Sequence, residues 1–138
     1  MCLIAKDKDY IRAAEDICCY KLVVRYCLCN CYMTPIQKYL LPSSLKNYEQ
    51  EDFDGVSLYK LYSKILDRYF ITKGVIHSFA KLKDARYLKS YAFCNTKYTK
   101  YEIWKCIIPE GTMYYKGITE SSKDGYASKK LKYLYKIS

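Results

Sequence analysis

The sequence predicts an α+β fold: a small, mostly antiparallel sheet covered by two or three helices. Three observations predict it. Apolar and polar residues alternate in KKLKYLYKI near the C-terminus and again from Tyr98 to Ile108, the period of a strand with one face buried. Leu58, Leu61, Tyr62, Ile65, Leu66 and Tyr69 recur at three- and four-residue intervals, the period of an amphipathic helix. The 138 residues include only three prolines and five glycines, so a single domain spanning 1–138 is expected, without a long disordered tract.

In chain order, Lys8 to Cys18 reads as a first helix, with Ile11, Ala14 and Ile17 three residues apart. From Tyr20 to Met33, β-branched and aromatic residues predict extended chain. Cys27, Cys29 and Cys31 then share one face, and Tyr26, Leu28, Asn30 and Tyr32 the other. Thr34-Pro35 ends or redirects it. LPSSLKNYEQEDFDG predicts an irregular crossing near 41–56. A second helix is expected from Ser57 to Phe70, its apolar stripe packed in the core. Asp67 among Lys60, Lys64 and Arg68 on the opposite face argues against a membrane-surface role.

GVIHSF, Gly74 to Phe79, reads as a short strand, and KLKDARYLKSY as a helix with Leu82, Ala85 and Leu88 on one side. In the strand from Tyr98 to Ile108, Trp104, Cys106 and Ile108 share a face opposite Ile103 and Ile107. Pro109-Glu110-Gly111 has the order of a reverse turn with proline at the first central position. It predicts a hairpin whose return carries Tyr114-Tyr115-Lys116. Gly117 and Gly125 are expected to shape the next loop. In the last strand Leu131, Tyr133, Tyr135 and Ile137 point to the core, alternating with Lys130, Lys132, Leu134 and Lys136.

No apolar run approaches the ~18 residues of a spanning helix, and MCLIAKDKDY becomes charged too quickly for a secretory signal. A cytoplasmic protein with no membrane partner is expected. There, the eight cysteines pack best as small reduced hydrophobes. Cys18-Cys19 and Cys27-x-Cys29-x-Cys31 lack the paired spacing of structural zinc sites. No metal is therefore assigned, with disulfide or thiol chemistry and a soft metal as the other readings.

The formal charge is +10, concentrated where residues 81–138 carry thirteen basic and five acidic side chains. Such a field attracts polyanions or an acidic protein without specifying which. Nine of the eighteen tyrosines lie from Tyr87 onward, among those lysines. Tyrosine stacks on bases or makes amphipathic protein contacts. The candidate binding patch is Tyr114, Tyr115, Lys116, Lys123 and Tyr126, with Lys129 and Lys130.

No catalytic residue is assigned. Cys2, if exposed as an N-terminal residue, would pair a thiol with its own amine. An imidazole can exchange a proton near neutral pH, which makes His77 a proton-transfer candidate if Cys106, Cys94 or an acid such as Asp84 or Glu110 lies beside it. Phosphate-loop and dinucleotide glycine patterns are absent, so no cofactor is expected.

MCLIAKDKDYIRAAEDICCYKLV, GVIHSFAKLKDARYLKSYA and KCIIPEGTMYYKGITESSKDGYASKKLKYL together resemble small, largely uncharacterised proteins of gut bacteria and their phages. The specific parts are HSF followed by LKDA, and IPxGxxYYxG followed by YASxKL. The resemblance covers most of the chain, with a poor fit over residues 30–70, and it carries no catalytic residue. It implies a phage or mobile-element setting inside a bacterial host cell. The expectation is a basic, noncatalytic binding or inhibitory protein directed at a host defence protein, RNA, DNA or a nucleotide messenger. The alternatives are a small Cys/His-dependent nucleotide-processing enzyme and a structural phage protein.

Overall fold

A computed structural model describes residues 3–5, 7, 9–29, 31–34, 40–51, 59–92, 96–119 and 122–138. Its longest ladder joins two ten-residue strands, β3 (Ile17–Tyr26) and β10 (Thr99–Ile108), antiparallel from Ile17 opposite Ile108 to Tyr26 opposite Thr99. The run ICCYKLVVRY is rich in the β-branched and aromatic side chains that suit a pleated surface. Lys21, Leu22, Val23 and Val24 are all buried, so both faces of this strand are covered.

The remaining strands, in chain order, are β1 (Leu3–Ala5), β2 (Ile11–Arg12), β4 (Cys31–Met33), β5 (Leu40–Leu41), β6 (Glu49–Glu51), β7 (Tyr59–Ser63), β8 (Arg68–Lys73), β9 (Ile76–Phe79), β11 (Met113–Thr119), β12 (Asp124–Ser128) and β13 (Lys130–Lys136). They form one sheet in the order β6-β13-β10-β3-β9-β12-β11-β1-β8-β7, with β2 on β11, and β4 and β5 beside β3. Every described pairing is antiparallel.

One helix stands among the described residues, α1 (Leu82–Ala92), with Asp84 in its first turn and Lys89 in its last, as the helix dipole favours. It covers one side of β3, β9 and β10, where Ala85 packs with Leu22, Phe79 and Ile103, flanked by Leu82 and Leu88. The other side of β3 and β10 carries the largest core. There Cys19, Val23, Trp104, Cys106 and Ile108 meet Leu131 and Tyr133 of β13, with Leu41 and Leu45 closing over them. A second core joins Leu3, Ala5, Ile71, Val75, Tyr115 and Ala127 across β1, β8, β11 and β12.

This architecture corrects the expected fold class. The described residues are mostly antiparallel β with one short helix, not a sheet under two or three helices. In the segment expected as the first helix, Ile11 and Arg12 pair with Tyr114 and Met113 as a short strand. Ile17 already belongs to β3. Ile11 and Ala14 are exposed, so the three-residue spacing buries no common face.

The expected helix over 57–70 begins outside the described residues and continues as the β7–β8 hairpin. Leu61 faces Phe70 and Tyr62 faces Tyr69 across it, and Ser63 opposite Arg68 closes the four-residue loop 64–67. Asp67 there adopts a left-handed φ of 50°, which a helix interior would not contain. Apolar pairs on both sides of a four-residue loop imitate a helical stripe.

The crossing near 41–56 holds the end of β5, buried Leu45 and strand β6, and 52–56 lie outside the described residues.

The Pro109–Gly111 turn exists, but its flanking strands are not a hairpin. Strand β10 pairs with β3 and β13, and β11 with β12, β1 and β2. The turn carries the chain from one half of the sheet to the other. Thr112 N–H donates to the Pro109 carbonyl at 3.1 Å, so proline is the first residue of the turn, not its first central one. Gly111 takes the third place with φ +83°, a conformation glycine adopts without a Cβ penalty. Gly111 N–H donates to the Ala13 carbonyl, and Glu110 N–H to Asp16 Oδ1 at 2.9 Å. Gly117 and Gly125 lie inside β11 and β12, opposite one another, rather than in a loop.

Candidate binding surfaces

The tyrosine–lysine patch expected from the sequence is divided by the pleat. Tyr115 points into the second core, 5% exposed, with Tyr10 edge-on to it. Tyr114 and Tyr126 lie against the largest core and contact each other edge to face at 5.8 Å. Lys116 is exposed opposite Tyr126. Lys123 sits 4.8 Å from the centre of the Tyr87 ring, a cation–π contact. Lys129 Nζ donates to the Gly74 carbonyl at 2.6 Å, and Lys130 lies 3.6 Å from Glu49 and 3.5 Å from Glu51. Alternation along β11 is what separates adjacent tyrosines 114 and 115.

Lys129 and Lys130 meet instead in a concavity of about 340 Å³ formed with Arg12, Glu49 and the Pro109–Met113 turn. Arg12 donates to the Gly111 carbonyl at 3.1 Å. This surface carries mixed charge, with Glu49 and Glu110 beside the three cations, and none of its lining residues is a thiol or an imidazole.

Of the two weak catalytic candidates, Cys2 lies outside the described residues. His77 is 4% exposed in β9, paired with Ala127. Its carbonyl accepts from Lys21 Nζ at 2.7 Å. Lys21 is the feature sequence reading missed: an ammonium on the core side of β3, beside Cys19 and Cys106. Desolvation lowers its pKa to about 8, while the two thiols favour the charged form. Burial raises the Cys19 thiol to about 12 and the Cys106 thiol well above its ordinary value, which makes both poor nucleophiles at neutral pH. The available signal was a lysine inside an otherwise apolar, β-branched run.

Nearby, Glu102 is buried yet fully engaged. Tyr32 Oη donates to it at 3.0 Å, Trp104 Nε1 at 3.1 Å, and Arg25 lies 3.5 Å away. Burial and this carboxylate raise the Tyr32 phenol to about 12. Such a network orders the interior. Among the described residues no group of three or more His, Cys, Asp or Glu is placed to hold a metal ion, and no helix is long and apolar enough to cross a membrane.

The cysteines divide. Cys19 and Cys106 are buried thiols, whereas Cys18 and Cys27 are exposed. The expected common face of Cys27, Cys29 and Cys31 does not form, because the chain turns at 27–29 and only Cys31 enters a strand. Cys29 and Cys31 are joined in a disulfide.

Among the described residues, the β7–β8 hairpin groups several exposed apolar side chains. Leu61, Tyr62, Ile65 and Leu66 are all exposed, Ile65 at 96%. The Tyr62 ring lies tilted at 41° against Tyr69 with centres 4.9 Å apart, and its hydroxyl donates to Asp67 at 2.7 Å. These contacts stiffen the hairpin while its tip remains open. Among the described residues, strand β7 is also the terminal strand of the sheet, and an edge strand offers backbone groups for pairing. Lys64 is exposed at the tip and Arg68 is half-buried behind it. The sequence stripe singled out these apolar residues but assigned them to the interior. Comparison with family models, with curated proteins and with solved structures found no match to this chain.

Proposed function

We propose that this is a noncatalytic binding protein whose β7–β8 hairpin docks an acidic protein partner. The observation that carries the reading is the exposed Leu61-Tyr62-Ile65-Leu66 group on a terminal hairpin. Apolar side chains grouped in water mark interaction sites more often than isolated ones do. The +10 charge of the chain and Lys64 beside the apolar tip select an acidic surface and speed the encounter. The phage or mobile-element setting implied by the sequence resemblance makes a host defence protein the natural partner, with the chain acting by occupying its surface.

The test is quantitative affinity capture from host cells with the wild-type chain, the Ile65→Asp/Leu66→Asp pair and the Lys116→Glu/Lys123→Glu pair, each with and without nuclease. Proteins should be retained by wild type and by the lysine variant, and be lost with the hairpin variant, whatever the nuclease treatment. Retention by the hairpin variant would sink the docking site. Loss on nuclease treatment, or with the lysine variant alone, would move the function to nucleic acid.

A further inference from the structure

At the opposite end of β3 from its Ile17 terminus, the hairpin between β3 and β4 carries three sulfurs within five residues. Tyr26 pairs with Cys31, and 27–29 form a turn between the two strands. Cys27 and Cys29 are exposed in the turn, Cys31 is half-buried at the start of β4, and Cys29 is bridged to Cys31. The bridge spans a sequence separation of two. A loop that short removes little freedom from an unfolded chain, and the hairpin register is already set by the β3–β4 ladder. Structural stapling therefore accounts poorly for it. An exposed disulfide beside a free thiol is instead what exchange chemistry requires.

The surroundings supply a contact surface. Leu28, between the two turn cysteines, is 82% exposed. Cys27 N–H donates to the Tyr98 carbonyl at 2.8 Å, which holds the turn against a half-exposed tyrosine whose ring lies 5.6 Å from the Lys97 ammonium.

We propose that this tip is a thiol–disulfide exchange site, with Cys29 the sulfur attacked and Cys27 the resolving thiol. An incoming thiolate attacks Cys29 Sγ, the exposed member of the bridge. The Cys29–Cys31 bond breaks, and Cys31 leaves as a thiolate that takes a proton from water. The mixed disulfide on Cys29 then has two fates. Cys27, as thiolate, attacks Cys29 Sγ, forming a Cys27–Cys29 bridge and returning the incoming thiol unchanged, a rearrangement without net oxidation. Alternatively a second substrate thiolate attacks the substrate sulfur. Two thiols then leave as a disulfide, and their two electrons reduce Cys29 and Cys31 to thiols. The substrate is a thiol, either small and free or borne by a polypeptide.

The experiment uses the full chain, air-oxidised, then treated separately with reduced glutathione and with a reduced single-cysteine peptide, acid-quenched, alkylated and mapped by mass spectrometry. Wild type and Cys27→Ser are compared, a change at an exposed turn position. The expected result is a Cys29–Cys31 bridge before treatment and a mixed disulfide on Cys29 after it. The adduct should survive longer in Cys27→Ser, where the return attack of the Cys31 thiol is the only internal route left to resolve it. Faster reaction with glutathione assigns a small-thiol substrate, and faster reaction with the peptide a polypeptide one. The proposal is overturned if Cys29 and Cys31 are alkylated separately before treatment, if neither thiol opens the bridge, if the adduct sits on Cys31, or if Cys27→Ser leaves its lifetime unchanged.

Discussion

The β3–β10 ladder and the β7–β8 hairpin are built from similar residues and meet opposite fates. The first pairs ten residues along each strand, with α1 on one side and β13 with the Leu41–Leu45 segment on the other. The second ends the sheet, and its Leu61, Ile65 and Leu66 stand in water. Apolar content alone does not decide burial. What decides it is whether the chain supplies a covering layer at that point, and hydrophobic side chains left without one are a resource for association.

The contrast predicts a gradient of mutational cost. Phe79→Ala empties a site that is 1% exposed between α1 and the central strands. It should cost about 3–5 kcal/mol in urea unfolding. A cost near zero would mean that α1 does not cover this face in solution. Gly117→Ala comes next. Its Cβ would run into the Ile4 carbonyl on the neighbouring strand, and backbone there cannot rotate away as a side chain would. A loss of about 1–3 kcal/mol is expected, with amide exchange accelerated in β1 and β8 and unchanged in β3 and β10. Equal acceleration in both regions would show that they do not open separately.

Lys21 gives a smaller and pH-dependent effect. It holds its proton more weakly when folded, about 8 against 10.5, so between those values the unfolded chain binds more protons and this group makes stability rise with pH. Cys19 works in the other direction from 9.0 to about 12, because the folded thiol keeps a proton that the unfolded one loses. The net expectation is a rise of about 1 kcal/mol over pH 8–9, which Cys19 alone would level off above 9 and which the likewise raised Cys106 thiol turns into a fall. Lys21→Met should abolish that rise in urea midpoints measured across the range, and its persistence would place the titration elsewhere. The smallest change belongs to the hairpin. The Ile65→Asp/Leu66→Asp pair used in affinity capture should shift stability by less than ~0.5 kcal/mol, so that any lost partner reports docking rather than unfolding.

The parts of the fold legible in the sequence are those whose period matches a single environment. Leu82, Ala85 and Leu88 form one side of α1, and Trp104, Cys106 and Ile108 face one core while Ile103 faces another. The last strand reads cleanly for Leu131 and Tyr133, both buried, but Tyr135 is half-exposed where the cover ends. Residues 57–70 misled because a hairpin with a four-residue loop returns Tyr69 to Tyr62 and Phe70 to Leu61, spacings a helix also produces. The turn at 109–111 was visible in its proline and glycine, whereas the partners of its strands were not. Nothing local to Trp104 records that β3, far away in the chain, would pair with it, or that β11 would run on to pair with β12 and not fold back on β10. The docking residues were thus found with the wrong exposure. The cysteine tip was found with the wrong geometry, since alternation hid a chain reversal.

The position of the last described strand has a bearing on how the molecule folds. Strand β13 lies between β6 and β10, and Tyr133 fills the centre of the largest core, its hydroxyl donating to Gln50 at 2.7 Å. Until β13 docks, the edge of β10 that it covers has no partner there, and an open sheet edge invites pairing with the wrong strand. Closure by the final strand is the step that converts it into a finished core.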